Sequence, residues 1–367
     1  MADKMMHKIM RATGYGILFA AVVCIIICAE VLSNKHHTTQ LVDSLNVNIT
    51  GGGECPLADA ESIYRWIRDH GHYTDKMKVE RLEVGAVERA ALSHSAVASA
   101  NAYVDYDGRA IVDVVLRTPI ARLRIDGYDM YITDDGFLLP TVEDRTAAVP
   151  VITGSYKPLF RTNYSGYAAQ QIRDSIASLE RYIDSLEDAK LPYYHQLENN
   201  DNELREALSQ SVRNGIFMSQ STFEILVGEL QRRKVAAREE HNAKKRKIET
   251  AIAALEKEQY AARMKQRYVH NVGEDFEALL SFLKSIRNNK FWQAEVVQIM
   301  LNGGGREHME IGFVPRSGTF VIDLGTASEL DKKLSNLYRF YEKGLDKLGW
   351  DRFKSISLRY DGQVVCR

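Results

Sequence analysis

The side chains able to do chemistry are few in this chain, and their spacing suits catalysis poorly. Ten histidines and four cysteines occur in 367 residues. His36-His37 and His70-x-His72 are the paired histidines, and neither has a neighbouring acid or cysteine at a metal-ligand spacing, so both read as loop histidines and no metal is expected. Gly303-Gly304-Gly305 lacks the lysine and the serine or threonine of a phosphate loop, and it reads as a hairpin turn, as does 51–53. No Gly-x-Ser-x-Gly elbow, His-Glu-x-x-His helix or Ser-x-x-Lys set occurs, so no nucleophile can be named. The expectation is a binding protein, not an enzyme, without a cofactor. With 48 basic against 49 acidic side chains, nothing global points to nucleic acid.

The elements that must carry any binding surface begin with an apolar run over 12–32, ATGYGILFAAVVCIIICAEVL. At about 1.5 Å per residue such a run covers the roughly 30 Å hydrocarbon core of a bilayer, and it is expected to be a single transmembrane helix. Lys4, Lys8 and Arg11 precede it, which by the positive-inside bias keeps residues 1–11 cytoplasmic and exports the remainder. A cleaved signal peptide is the alternative, although no Ala-x-Ala site follows and the run is long for a signal. Cys24 and Cys28 share one helical face and read as small hydrophobes within the span. Cys55 and Cys366, outside it, are too few for a disulfide framework, and their pairing stays open.

Leu45, Val47 and Ile49 alternate as a strand does, and Ala60, Ile63, Tyr64 and Ile67 before Gly71 mark an amphipathic helix. A second short helix over 87–92 follows. Two apolar runs then flank Asp107-Gly108, a strong hairpin signal. The resulting order of strand, helix, helix, strand, strand over 33–118 matches a POTRA module. Further on, Ile172, Ile176, Leu179, Ile183 and Leu186 form a heptad-like seam that Leu191-Pro192 is expected to end. A second helix is expected through Leu197, Leu204, Leu208 and Val212, and a third from Phe223 to Tyr268. Residues 156–272 therefore read as a helical hairpin or small bundle. Its basic stretch, Arg232-Arg233-Lys234 and Lys244-Lys245-Arg246-Lys247, is interleaved with glutamates and reads as a solvated, salt-bridged face.

The motifs on either side of this insertion run in a specific order. Leu116-Arg117-Thr118-Pro119-Ile120-Ala121-Arg122 leads to Tyr131-Ile132-Thr133-Asp134-Asp135-Gly136 and to Val149-Pro150-Val151-Ile152-Thr153-Gly154. Beyond the insertion come Phe291-Trp292, Val314-Pro315-Arg316, Ile322-Asp323-Leu324-Gly325 and Leu358-Arg359-Tyr360-Asp361-Gly362-Gln363-Val364-Val365. In this order, behind one N-terminal anchor, they resemble the FtsQ/DivIB cell-division family over 1–154 and 275–367. The resemblance implies an α+β chain: a POTRA domain at 33–118 and a C-terminal β-domain at 119–367, interrupted by the helical insertion. It departs from the family in that insertion, where relatives have a short connection, with Phe291-Trp292 expected on the next strand.

The same resemblance implies a non-enzymatic scaffold of the inner membrane and division septum. It would recruit FtsB- and FtsL-like proteins and help position the septal peptidoglycan synthase, with upstream division proteins as further partners. Lys332 to Leu348 reads as an amphipathic helix stopped by Gly349, and the last strand is either a free sheet edge or fully paired within its own sheet. By resemblance, Arg359 would pair with a partner's acidic residue and Tyr360 would be the aromatic anchor. Asp361, Gly362, Gln363 and Val364 would supply backbone for strand addition. The alternative function is a POTRA-bearing envelope assembly factor or chaperone, and a third is an envelope hydrolase whose site is built from scattered residues.

Overall fold

The computed structural model describes residues 21–29, 41–42, 44–53, 56–71, 73–74, 76–141, 145–305, 308–345, 349 and 352–367. The expected membrane span falls largely outside these. Its described part, 21–29, is a helix (α1) with exposed side chains, and among the described residues no helix is long and apolar enough to cross a membrane. His36, His37, Cys55 and His72 also lie outside the described residues.

The chain divides into two compact units: the first contains residues 1–152, 162–166 and 287–298, the second residues 153–161, 167–286 and 299–367. In the first unit, β1 (Leu45–Gly51), α2 (Ala60–His70), α3 (Val84–Ser93), β2 (Val97–Val104) and β3 (Ala110–Leu116) follow in order. The sheet order is β1-β3-β2, with β1 parallel and β2 antiparallel to β3. α2 forms where the apolar period placed it. Asp59 accepts from the Ser62 amide at 2.9 Å while Ser62 Oγ accepts from the Asp59 amide at 3.0 Å, a reciprocal cap, and Ile63 and Ile67 turn inward. Trp66 stacks on His70, whose ring nitrogen lies 3.0 Å from the Trp66 carbonyl oxygen, so this histidine has a local partner.

The first unit continues through β4 (Pro119–Ile125), β5 (Tyr128–Thr133), β6 (Phe137–Pro140) and the start of β7 (Val151–Gly154), which lies parallel to β4. Asp126 and Gly127, both at positive φ, make the tight β4–β5 turn that right-handed strand twist favours. Buried Tyr131 and Leu139 join the same apolar core as Ile63, Ile67, Val112 and Val114, and the Ala147 amide donates to the Tyr131 hydroxyl at 3.1 Å. Arg117 is buried beside this core, donates to Asp135 at 2.7 Å and lies 3.6 Å over the Phe137 ring. A short helix, α6 (Lys290–Glu295), carries Phe291 and Trp292, and Asn289 caps it. These residues were expected on a strand; the Asn289 side chain accepting two amides makes the helical turn instead, and the strand begins at Val296.

In the second unit β8 (Gly166–Tyr167) leads to α4 (Ala168–Ser209), which returns as α5 (Gln220–Asn288). The expected seam from Ile172 to Leu186 is buried or half-buried throughout. Two expectations are corrected. Pro192 does not end the first helix: α4 runs through it, 42 residues in all, and takes in Leu197, Leu204 and Leu208 of the expected second helix but ends before Val212. The third helix does not stop at Tyr268 either, because Val272, Phe276, Leu279, Phe282, Leu283 and Ile286 keep one apolar face buried to its end. Cross-contacts fix the antiparallel register, with Glu180 against Gln266, Lys190 against Gln259, and Asn200 and Asp201 against His241. Of the basic stretch, Lys244 pairs with Glu240 and Glu203 and Lys245 with Glu249, while Lys234 donates to the Leu208 carbonyl.

The remaining sheet of this unit is β9 (Val296–Asn302), β10 (Glu310–Pro315), β11 (Val321–Thr326), β12 (Ser355–Ser357) and β13 (Val365–Cys366), adjacent in chain order. α7 (Leu330–Phe340) buries Leu330, Leu334 and Leu337, and a π-turn over Tyr341–Leu345 extends it toward Gly349, whose amide closes onto the Leu345 carbonyl at 2.9 Å. The Gly303–Gly305 turn joins β9 to β10. Asp275, buried on α5, accepts from the Gly305 amide at 3.1 Å and the Met309 amide at 3.3 Å, and Asn271 donates to the Gly305 carbonyl at 2.8 Å. Helix α5 thus holds this turn against the sheet.

Candidate functional site at the C-terminal sheet edge

Chain order and register decide which strand is free. β12 runs parallel to β11 and antiparallel to β13, with Ile356 opposite Cys366 and Ser357 opposite Val365. Both flanks of β12 are therefore occupied, and the end strand of the sheet is β13. Residues 358–364 form the connection between them. Leu358 is buried and its amide donates to the Asp323 carbonyl at 2.8 Å, while the Gln363 amide closes a turn onto the Tyr360 carbonyl at 3.2 Å. Gly362 sits at the left-handed φ of 68° that such a turn requires, with open space where a Cβ would lie.

The six expected site residues lie along this connection. Arg359 is committed within the chain: its terminal nitrogens donate to the two Glu310 carboxylate oxygens at 2.6 Å each, and its Nε donates to Asp323 at 2.5 Å. These bonds, the Glu310 fork first, hold the guanidinium pKa well above its ordinary value. The planar fork on Arg359 spans two strands, β10 and β11, and tethers the loop to both. Tyr360 is 61% exposed, a large ring standing in water. Asp361 pairs with Lys332 of α7 at 2.7 Å, which pulls the carboxyl pKa down. Gly362 and Gln363 are exposed and Val364 is half-buried at the entry to β13.

Sequence reasoning missed the acids that take Arg359, since nothing in local spacing brings Glu310 and Asp323 to residue 359. It also passed over Lys333, whose ammonium donates to the Leu324 and Thr326 carbonyls at 2.8 Å each and so ties α7 to the end of β11; burial pushes its pKa down. Together α7 and the loop enclose a cleft of about 100 Å³, lined by Glu329, Lys332, Asn336 and residues 358–363. The cleft holds donors, acceptors and one exposed aromatic ring beside a free strand edge, and no described residues gather into a metal-binding cluster. Such an arrangement can recognise a peptide segment by backbone pairing with an adjacent side-chain pocket.

The fold is of mixed α+β class, and the loop, the cleft and the end strand lie together in its second unit. Residues 251–367 match the family described as FtsQ/DivIB, C-terminal related. Over those residues the match bears out the FtsQ/DivIB resemblance read from the motifs, and it supports a role in cell division. No curated protein matches the chain.

Proposed function

We propose that this protein is a bitopic, non-enzymatic scaffold of the bacterial divisome. On this reading residues 12–32 span the inner membrane, the N-terminus is cytoplasmic, and the bulk of the chain lies in the periplasm at the septum. The β1-α2-α3-β2-β3 segment serves as a POTRA module. The C-terminal loop and β13 take FtsB- and FtsL-like partners, and through them the protein positions and regulates the septal peptidoglycan synthase. The observation that carries the reading is the placement of the Arg359–Val364 loop, with exposed Tyr360, beside an end strand within the FtsQ/DivIB-related domain. Partner binding by strand addition needs an unpaired edge and an adjacent anchor, and this loop lies beside both.

Affinity capture from detergent-solubilised membranes tests it. The full chain is compared with Tyr360→Ala, which removes the exposed ring and leaves the Arg359 anchorage intact. Retention of small coiled-coil division proteins by the full chain and their loss with Tyr360→Ala supports the proposed site. Equal retention by both moves the site elsewhere, and capture of outer-membrane precursors in their place favours an assembly factor.

A further inference from the structure

A basic groove in the second unit lies apart from the C-terminal loop, along α5. Tyr260, Met264, Tyr268 and Asn271 recur at helical spacing and form one wall, and Lys157 with the Gly304-Gly305 backbone forms the other. The groove encloses about 990 Å³. Its cations are Lys157, Lys265 and Arg267; among the described residues none of the three is in an ion pair, and no carboxylate lines the groove. Asp275, on the same helix, is buried and spent on the Gly305 and Met309 amides. Gly305 is required here: at φ of 74°, an added Cβ would lie 2.1 Å from the Tyr268 ring. Only a glycine lets the turn approach the Tyr268 ring this closely.

We propose that this groove binds an acidic peptide segment carrying apolar side chains. From Tyr260 to Asn271 the helix rises about 16 Å, the reach of about five extended residues. Three cations without an ion pair among the described residues call for carboxylates along that length. The apolar lining decides between kinds of anion. Tyr260 is 63% and Met264 42% exposed on the same helix as Lys265 and Arg267, so an occupant offering only charged oxygens leaves them in water. Alternating acidic and apolar side chains cover both, and a thioether adapts to varied side-chain shapes.

The test is selection from a displayed library of random twelve-residue peptides with the full chain in detergent micelles. The same selection is run with Lys265→Glu/Arg267→Glu and, as a control, Lys247→Glu/Lys257→Glu, which reverses exposed charges elsewhere on α5. The wild type and control should enrich peptides with interspersed acidic and apolar residues, and the groove variant should bind the selected peptides at least tenfold more weakly. Failure to enrich acidic peptides overturns the proposal, as does equal binding by the groove variant or equal loss in the control. Groove-dependent binding of phosphatidylglycerol vesicles, without acidic-peptide binding, overturns it in favour of a lipid site. None of these results bears on the Tyr360 capture experiment, which reads a different surface.

Discussion

Arg359 grips Glu310 with a two-pronged hydrogen bond, both contacts at 2.6 Å, and so joins the last loop of the chain to a strand 49 positions earlier. Asp323 stands on the other side of the same guanidinium. Replacing Arg359 by Ala leaves two carboxylates facing each other without a cation. The group is partly exposed, so the expected loss of global stability is only about 1 kcal/mol. The local effect is larger: amides of residues 358–363 should exchange faster by hydrogen-deuterium exchange, and Arg359→Lys should restore little because an ammonium cannot make the fork. Unchanged exchange in Arg359→Ala would show that the loop is held by other contacts.

Asp129 and Arg122 form a second fork, with both bonds at 2.7 Å, across the β4–β5 ladder. The hydrogen bonds from Arg122 lower the Asp129 pKa from 3.8. A depressed carboxylate contributes stability that is fully present above its unfolded value and is lost as pH falls through the folded value. The difference in unfolding free energy between wild type and Asp129→Asn should therefore be constant above about pH 4. It should shrink as the solution is acidified further, and chemical denaturation at several pH values reads it. A difference that grows on acidification contradicts the assignment.

Within the helical arm, the Lys190 ammonium is buried between Gln259, at 3.1 Å, and Glu187, at 2.7 Å. A polar layer of this kind fixes register at some expense of stability. Gln259→Leu should destabilise the arm by about 1–3 kcal/mol, because the ammonium loses a partner it cannot replace. Lys190→Leu/Gln259→Leu should recover most of that loss, as thermal unfolding followed by circular dichroism would show. A double variant no more stable than Gln259→Leu contradicts this account.

The arm should divide into a dispensable tip and a base that the fold needs. Near the base, Phe160 packs edge-on against Phe276, and Ile172 meets the helix at Gly273. Excising residues 184–262 and closing the gap with a short Gly-Ser linker should leave the flanking fold cooperative, because closure entropy changes slowly with loop length. Excision from 156 onward should abolish that cooperativity, since it removes buried Tyr156 and Phe160. Calorimetric unfolding of the two deletions distinguishes the cases.

Local period and punctuation were legible in the sequence. Ile63 and Ile67 with Gly71 marked α2, Asp107-Gly108 marked the β2–β3 turn, and the seam from Ile172 to Leu186 marked α4. Each depends on side chains a few residues apart, which is the range over which helical and strand periods act. Pro192 misled because a proline costs one helical bond locally, about 3 kcal/mol, and a helix with a long partner face can absorb that cost. Asn289 converted an expected strand residue, Trp292, into a helical one through a cap that apolar patterning does not register.

The site shows the same division. Sequence by itself determined the amphipathic helix before the last strands and the family motifs that single out Arg359 and Tyr360, but neither the loop over 358–364 nor its turn at Gly362. Tertiary structure decided that Arg359 is spent on Glu310 and Asp323 and that Lys332 answers Asp361. It also decided that β13, not β12, forms the end of the sheet. Those outcomes depend on strand register, where a shift of one residue turns every side chain to the opposite face, and on charges far apart in the chain. Neither leaves a periodic trace in the sequence, so only the folded sheet could assign them.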